Sequence, residues 1–373
     1  MKLKTGYLYH EVFGWHDTGT FVGDMPADPT RGLQPHQNYE HADTKRRIHE
    51  LIVVSGLIKH LVRIEPRYAT EDELRLVHTQ RHIDYIKSQS ESRLGGDAGD
   101  LTTPFGKGAF EIATLGVGGI LQMVDTIYQN QIDNGYALVR PPGHHAIADL
   151  GMGYCLFANG SIAVKYAQQQ FGVKRIAVVD WDVHHGNGTQ EIFYEDSSVL
   201  TISIHQDRLY PHHSGLRSEQ GDGVATGTNL NIPLPAGVGN AGYIHAFERV
   251  IVPALRKFKP ELILVASGFD SCVFDPLGRM LLTSTGYAAL TKQLMQVAAE
   301  FSNNRILMTH EGGYNAVYSP FCGQAVIEQL VGTKLIDDPF LDSVNNYPSQ
   351  DLTPWQVAEI ELAEKLLQDL PTN

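Results

Sequence analysis

The sequence predicts one open α/β sheet, mostly parallel, with helices on both faces and long loops at one edge. Three observations carry that expectation. Apolar, β-branched runs alternate with stretches of helical periodicity along the chain, as in strands joined by helical crossovers. No Pro- or Ser-rich linker, internal repeat or low-complexity tract interrupts the alternation, so the 373 residues read as a single domain with its core at about 4–332. Several apolar runs also end in acids or histidines, and open α/β sheets bind their ligands at the carboxyl ends of strands.

Taken in order, TGYLYH (Thr5 to His10) reads as an edge strand, followed by a Gly-, Pro- and Asp-rich loop from Gly14 to Gln37. A helix is expected from Asp43 or Thr44 at its N-cap to Gly56, and HLVRIEP is a second strand ended by Pro66. Acidic-start helices follow at Glu71 to Val77 and near His82 to Ser88, then a second long loop from Gly95 to Gly108 and an apolar helix to about Tyr128. GYALVRPPGHH is a strand, a Pro-Pro stop, a glycine and paired histidines. The helix NGSIAVKYAQQQ and the strands RIAVVD and VLTISIH come next, and then an irregular region from Gln206 to Thr226. TNLNIPL is a short strand, Gly242 to Phe258 a helix, and ELILVASGFD a buried strand ending in Asp270. A helix at Ser284 to Phe301, the strand RILMTHEGGY and a helix at Pro320 to Leu330 repeat the pattern. The acidic segment Thr353 to Leu370 reads as a surface helix.

With 19% charged and 42% hydrophobic residues, the composition is that of a globular protein. No apolar run reaches the roughly 18 residues expected of a membrane span, so no membrane partner is expected. The N-terminus lacks a signal-peptide apolar region, which points to a cytoplasmic enzyme. Cys155, Cys272 and Cys322 form no CxxC pair, and neither a disulfide framework nor a cysteine zinc site is expected. A net charge of −13 argues against nucleic acid as a partner.

The densest chemistry lies in DWDVHHGNG, Asp180 to Gly188, directly after RIAVV. Asp182 and His184 are two residues apart, so in extended chain both side chains project to one side and one metal ion could take both. With Asp270 they make two carboxylates and one imidazole, a set that leaves a coordination position open, as catalytic zinc sites do. Oxygen and nitrogen donors also suit Fe(II), Mn(II) or Co(II). His144 and His145, turned by the preceding Pro-Pro-Gly, could serve as acid and base beside activated water. Tyr314, freed by Gly312 and Gly313, could donate to an oxygen that becomes negative in the reaction.

At these residues the sequence resembles the histone deacetylase and acetylpolyamine amidohydrolase superfamily, and most closely its bacterial class II-like histone deacetylase-like amidohydrolases. The matching motifs are RPPGHH, GMGYCLFAN, DWDVHHGNGTQ, SIH, SGFD, DPLG and EGGY, in the family's order from about Lys4 to Leu330. The resemblance implies an arginase-like open α/β fold and a zinc ion on Asp182, His184 and Asp270. It implies hydrolysis of an N-acetyl amide, with His144 and His145 as general base and acid, His144 paired to Asp180, His145 paired to Asn187, and Tyr314 on the oxyanion. It also implies a structural potassium near Asp180, Ser203 and the carbonyls of Asp182, His184 and Ile204, and a second at the carbonyls of Phe193, Asp196, Val199 and Thr228. Arg47 matches an arginine lining an exit path for acetate. Gly153, Tyr154, Tyr210, Leu277 and Gly312 fall at substrate-tunnel positions.

Two departures bear on substrate. Tyr154 and Tyr210 replace the family's usual phenylalanines, and Leu277 stands where polyamine-selecting relatives carry a glutamate. Acetylated lysine in a peptide or protein, or a small acylated amine, is therefore the expected substrate. An acetylpolyamine is the alternative, and a non-catalytic acyl-recognition module or an arginase-type enzyme is disfavoured by the residues present. Trp15, Asp17, Asp97 and Asp100 are candidate rim contacts. Relatives suggest a homo-oligomer, a dimer or tetramer.

Overall fold

A computed structural model describes residues 3–22 and 25–371. Its main sheet is built from β1 (Thr5–Leu8), β2 (Leu61–Arg63), β3 (Asn134–Ala137), β4 (Ile176–Asp180), β5 (Val199–Gln206), β6 (Asn229–Leu234), β7 (Leu262–Ser267) and β8 (Ile306–His310). The eight strands lie in the order β6-β5-β4-β7-β8-β3-β1-β2, and every pairing is parallel. β7 and β8 enter last and fill the space between β4 and β3, which brings four strands with reactive endings side by side at the centre of the sheet.

Alternation along β1 shows the two helical layers. The Tyr7 hydroxyl lies 3.0 Å from His49 Nδ1, on the helix Asp43–Val54. Leu8, pointing the other way, packs on Gly119 of the helix Ala109–Tyr128. Helices Ser284–Phe301 and Ser319–Val331 join the first layer, and Asn159–Phe171 joins the second. Ala109–Tyr128 is long and apolar enough to cross a membrane by length and composition, contrary to the sequence reading, which sought an unbroken apolar run and passed over its interspersed Gly, Thr and Gln. Here 78% of its apolar window is buried in the fold.

Other elements also depart from the sequence reading. β1 is not an edge strand, because its residues are buried between β3 and β2, and the short Leu61–Arg63 takes the edge. The loop from Gly14 to Gln37 contains a small antiparallel sheet of Thr20–Val22, Met25–Pro26 and His36–Gln37, and the second loop pairs Gly96–Asp97 with Pro104–Phe105. The helix beginning at Asp43 has Ala42, not a polar side chain, at its cap. The segment after Gly239 is interrupted by a π-turn at Phe247–Ile251, just before Pro253, whose missing N–H cannot continue an α-helical ladder. Near the C-terminus, Pro354–Glu364 opens on a Thr353/Gln356 capping box and buries Ile360 and Ala363 as it covers edge strand β6.

Two glycines in Ala109–Tyr128 differ in what surrounds them. A Cβ at Gly118 would overlap the Arg67 carbonyl, whereas the nearest neighbours of one at Gly116 would be Val139 and Phe13 at 3.8–4.0 Å. Gly118→Ala should therefore destabilise the fold by about 1–3 kcal/mol. Gly116→Ala should be neutral or stabilising by up to about 1 kcal/mol. Urea unfolding of both variants checks this, and equal effects would show that the close approach at Gly118 is not made.

Candidate active site

β4 ends at Asp180, and each acid beyond it folds the chain ahead. Asp180 Oδ1 accepts the Asp182 N–H at 3.0 Å, and Asp182 Oδ1 accepts the His184 N–H at 2.9 Å. His184 Nδ1 lies 3.0 Å from Asp182 Oδ1 and 3.1 Å from Asp270 Oδ2. Asp270 arrives from the loop after β7, with Oδ1 accepting the Val183 N–H at 2.8 Å. Ligand atoms of Asp182, His184 and Asp270 all fall within 4.8 Å of one another, and all three residues are buried.

The cluster gathers ionisable groups away from solvent. Burial, then the charge of Asp182, raises Asp270 to about 8. Burial works against a charged His184, but its hydrogen bond to Asp182 and the adjacent Asp270 carboxylate prevail and raise it to about 10. Asp270 Oδ2, although close to His184 Nδ1, makes no well-directed hydrogen bond. Two buried carboxylates around an unsatisfied oxygen and one imidazole suit a divalent metal. Glycine makes room for them: a Cβ at Gly268 would overlap Asp182 Oδ2, and one at Gly312 would overlap Asp270 Oδ2.

The histidine pair hangs on the turn after β3, with ring centroids 3.9 Å apart. His144 Nδ1 donates to Asp180 Oδ2 at 2.9 Å, and its Nε2 faces Asp182 Oδ2 at 3.8 Å. His145 Nδ1 donates to Asn187 Oδ1 at 2.7 Å. Burial opposes charge on both, but Asp180 and Asp182 overcome it at His144 and raise it to about 10. At His145, burial and then the neighbouring His144 hold the ring neutral. An aspartate beside one ring and an asparagine beside the other thus help to separate a charged histidine from a neutral one.

The backbone of His144 is gripped from both sides. Its carbonyl accepts from the Gly188 and Thr189 N–H groups at 3.1 and 3.2 Å, and its N–H donates to Glu311 Oε2 at 3.1 Å, which also takes Gly143 N–H at 2.6 Å. Glu311 is fully buried, and burial raises it to about 7. The sequence showed Glu311 only as a polar strand end. Its partner turn is distant in sequence, so nothing local announced the contact.

Above the metal cluster is a cavity of about 250 Å³ in which His145, His184 and Tyr314 meet Tyr154, Tyr210 and Leu277. The Tyr210 ring stands edge-on to His145 at 4.9 Å, and Tyr154 stands edge-on to Tyr314 at 6.0 Å. Gly153 is required between them: its φ is +54°, and a Cβ would strike the His145 ring. Thr102 and His212 lie on the same cavity wall and had not been singled out in the sequence.

Several expected residues lie elsewhere. Gly312 does not line the cavity; its N–H donates to Asp182 Oδ2 at 2.8 Å, beneath the cluster. Asp97 accepts N–H groups of its own loop, from Gly99, Leu101 and Thr103, whereas Asp100 accepts the Thr102 N–H and that of the cavity-lining Gly153. Asp17 caps Gly19, and Trp15 is 74% exposed without reaching the cavity. His185 turns away, toward Ser214 and Gln190. Of the potassium candidates, Asp180 and Ser203 adjoin a small buried space, with Ser203 Oγ 2.9 Å from His205 Nδ1. Ile204, Phe193, Val199 and Thr228 are buried, and the carbonyls of Phe193, Asp196 and Thr228 accept the N–H groups of Asp196, Val199 and Thr201.

Arg47 is exposed, with Nε on the Ala316 carbonyl at 2.6 Å. Lys45 is the inward cation of that helix, its Nζ 5.6 Å from the centre of the Tyr314 ring. Residues two apart on a helix are about 200° apart around its axis, so the two cannot face the same way. Lys45 pairs with Glu40 at 2.7 Å, and Glu40 in turn binds Arg140 at 2.8 Å, all three being almost wholly buried. Burial raises the Glu40 carboxyl, but Arg140 and then Lys45 outweigh it and hold it well below its ordinary value.

Parallel sheet, buried acid-imidazole cluster and histidine pair together define a hydrolytic α/β enzyme of the amidohydrolase type. The histone deacetylase domain model matches residues 38–330, and the chain belongs to that family. It is 41% identical over 349 residues to the histone deacetylase-like amidohydrolase of Pseudomonas aeruginosa, covering 92% of this chain and 90% of that one. Histone deacetylase 5 of Arabidopsis thaliana is 35% identical over 90% of this chain, which spans 50% of that protein's length. The crystal structure of the HDA15 HD domain superposes with a TM-score of 0.84 at 31% identity, covering 98% of this chain and 96% of the other. These comparisons bear out the expected family and fold.

Glu40→Gln should leave Arg140 and Lys45 without a buried counter-charge and cost about 3–5 kcal/mol in chemical denaturation. Because the folded-state pKa of Glu40 is depressed, its stabilisation is fully present above the unfolded value near pH 4.3 and declines as pH falls toward the folded one. The variant should lose that part of the acid dependence, so an unchanged stability-pH curve would refute the role.

Proposed function

We propose that this protein is a zinc-dependent amidohydrolase that removes acetyl groups from N-acetyl-lysine-type amines. The observation that carries the reading is the meeting of the Asp182, His184 and Asp270 cluster with the His144/His145 pair and Tyr314 in one aromatic-walled cavity. Asp182, His184 and Asp270 would hold the zinc, which when bound supplies Lewis acidity toward the acetyl carbonyl and toward a water molecule.

The side chains divide the remaining work. Neutral His145, its Nδ1 proton committed to Asn187, offers Nε2 as the base that takes a proton from water and returns it to the departing amine. His144, held by Asp180, contributes positive charge beside the reacting carbonyl. Tyr314, whose phenol burial holds protonated, donates to the oxygen as it gains charge. The Tyr154 and Tyr210 rings suit an alkyl chain, and Leu277 offers no charge to a distal ammonium. This favours acetyl-lysine over acetylpolyamines. Asp180 and Ser203 are the side chains proposed to hold a structural potassium.

A panel of an acetyl-lysine peptide, acetylputrescine and acetylspermidine on the zinc-loaded protein tests the assignment. The peptide should be turned over most efficiently, and a clear preference for the polyamines would reverse it. Tyr314→Phe should lower kcat about 10²–10³-fold with zinc content unchanged. Asp270→Ala should instead lose stoichiometric zinc by elemental analysis, and full zinc retention would refute its place as a ligand.

A further inference from the structure

The proposed oxyanion donor sits after a pair of glycines, and the backbone there has little intrinsic stiffness. Gly312 N–H is fixed on Asp182, but Gly313 has a φ of +124°, open to glycine and hardly to other residues. Whatever holds Tyr314 must come from beyond that hinge. A single carboxylate does so: Asp275 Oδ2 accepts the Tyr314 N–H at 2.7 Å and the Asn315 N–H at 3.2 Å.

The other oxygen of the same carboxylate holds the cavity wall. Asp275 Oδ1 accepts the Leu277 N–H at 2.9 Å and the Gly278 N–H at 3.2 Å. Asn315 closes the link by donating Nδ2 to the Phe274 carbonyl at 2.7 Å. Asp275 itself is 8% exposed and makes no ion pair among the described residues. Its two oxygens are therefore committed to backbone donors from two loops that are about 40 residues apart in sequence.

We propose that Asp275 is a positioning residue that locks the Tyr314 phenol and the Leu277 wall into one rigid unit. The proposal rests on the deacetylase reading for its catalytic consequence and on hydrogen-bond geometry for the lock itself. Asparagine at this position has one accepting oxygen, and its NH₂ group would face two N–H donors, so half of the lock is lost without changing the side chain's size.

The test uses the full-length zinc-loaded protein, with Asp275→Asn, Tyr314→Phe and the double variant assayed on whichever substrate of the panel the wild type turns over. Asp275→Asn should lower kcat about tenfold or more, with KM within about threefold. In the Tyr314→Phe background the same change should lower kcat by no more than about twofold, because the phenol it positions is already gone. Additive losses, or a single variant within twofold of wild type, would overturn the proposal.

Amide hydrogen exchange supplies a readout independent of turnover. Exchange at Tyr314 and Asn315 should quicken about tenfold or more in Asp275→Asn, with β4 and β8 unchanged. Unchanged exchange at those two amides refutes the lock. A wild type inactive on every substrate refutes the deacetylase reading, and exchange then decides the lock alone. Should Asp275→Asn not fold, wild-type exchange decides: protected amides at Tyr314 and Asn315 support the lock, and unprotected ones overturn it.

Discussion

Asp182 is the point on which the site turns. One of its oxygens accepts the His184 N–H and lies beside the His184 ring; the other accepts Gly312 N–H and faces His144 Nε2 at 3.8 Å. One buried carboxylate thus joins the chain after β4, the chain after β8 and the histidine turn after β3. Its charge is stabilised in the interior only because His144 and His184 outweigh the cost of burial. The proximity that satisfies it also brings the candidate metal cluster and the histidine pair together.

Backbone constraints follow from that concentration of acids. Side chains at Gly186, Gly268 or Gly312 would overlap the carboxylates of Asp180, Asp182 or Asp270. These glycines are therefore part of the electrostatic design, since they allow main chain and carboxylates to approach within contact distance. Farther out, Glu311 and Asp275 accept main-chain N–H groups of the histidine turn and the tyrosine loop. Loop residues of the site are thereby tied to main chain from distant segments.

Much of the site was legible in the sequence because its residues come in short adjacent groups. His144 and His145 adjoin each other and Asp182 and His184 are two apart, so spacing suggested their chemistry, while the pairings with Asp180 and Asn187 came from the family resemblance. Glu40, Arg140 and Lys45 were not legible as a group, since Arg140 lies 100 positions from Glu40 and isolated charges usually read as solvated surface. Arg47 was placed inward on motif position, but the helix turns Lys45 inward instead. Asp97 looked available for ligands, yet it takes N–H groups next to it in the chain, and Asp100 takes one from Gly153, 53 positions away.

By itself the sequence determined the alternation of strands and helices, the family, and which residue types stand at the strand ends, because these depend on local periodicity and on short motifs. Tertiary structure alone decided which strands lie side by side, that Lys45 and not Arg47 faces the Tyr314 ring, and that buried Glu311 and Asp275 hold the backbone of the histidine turn and the tyrosine loop. Those outcomes depend on distances between segments brought together by the crossover connections, and on how deeply each carboxylate is buried. Neither quantity is encoded in any short stretch of the chain.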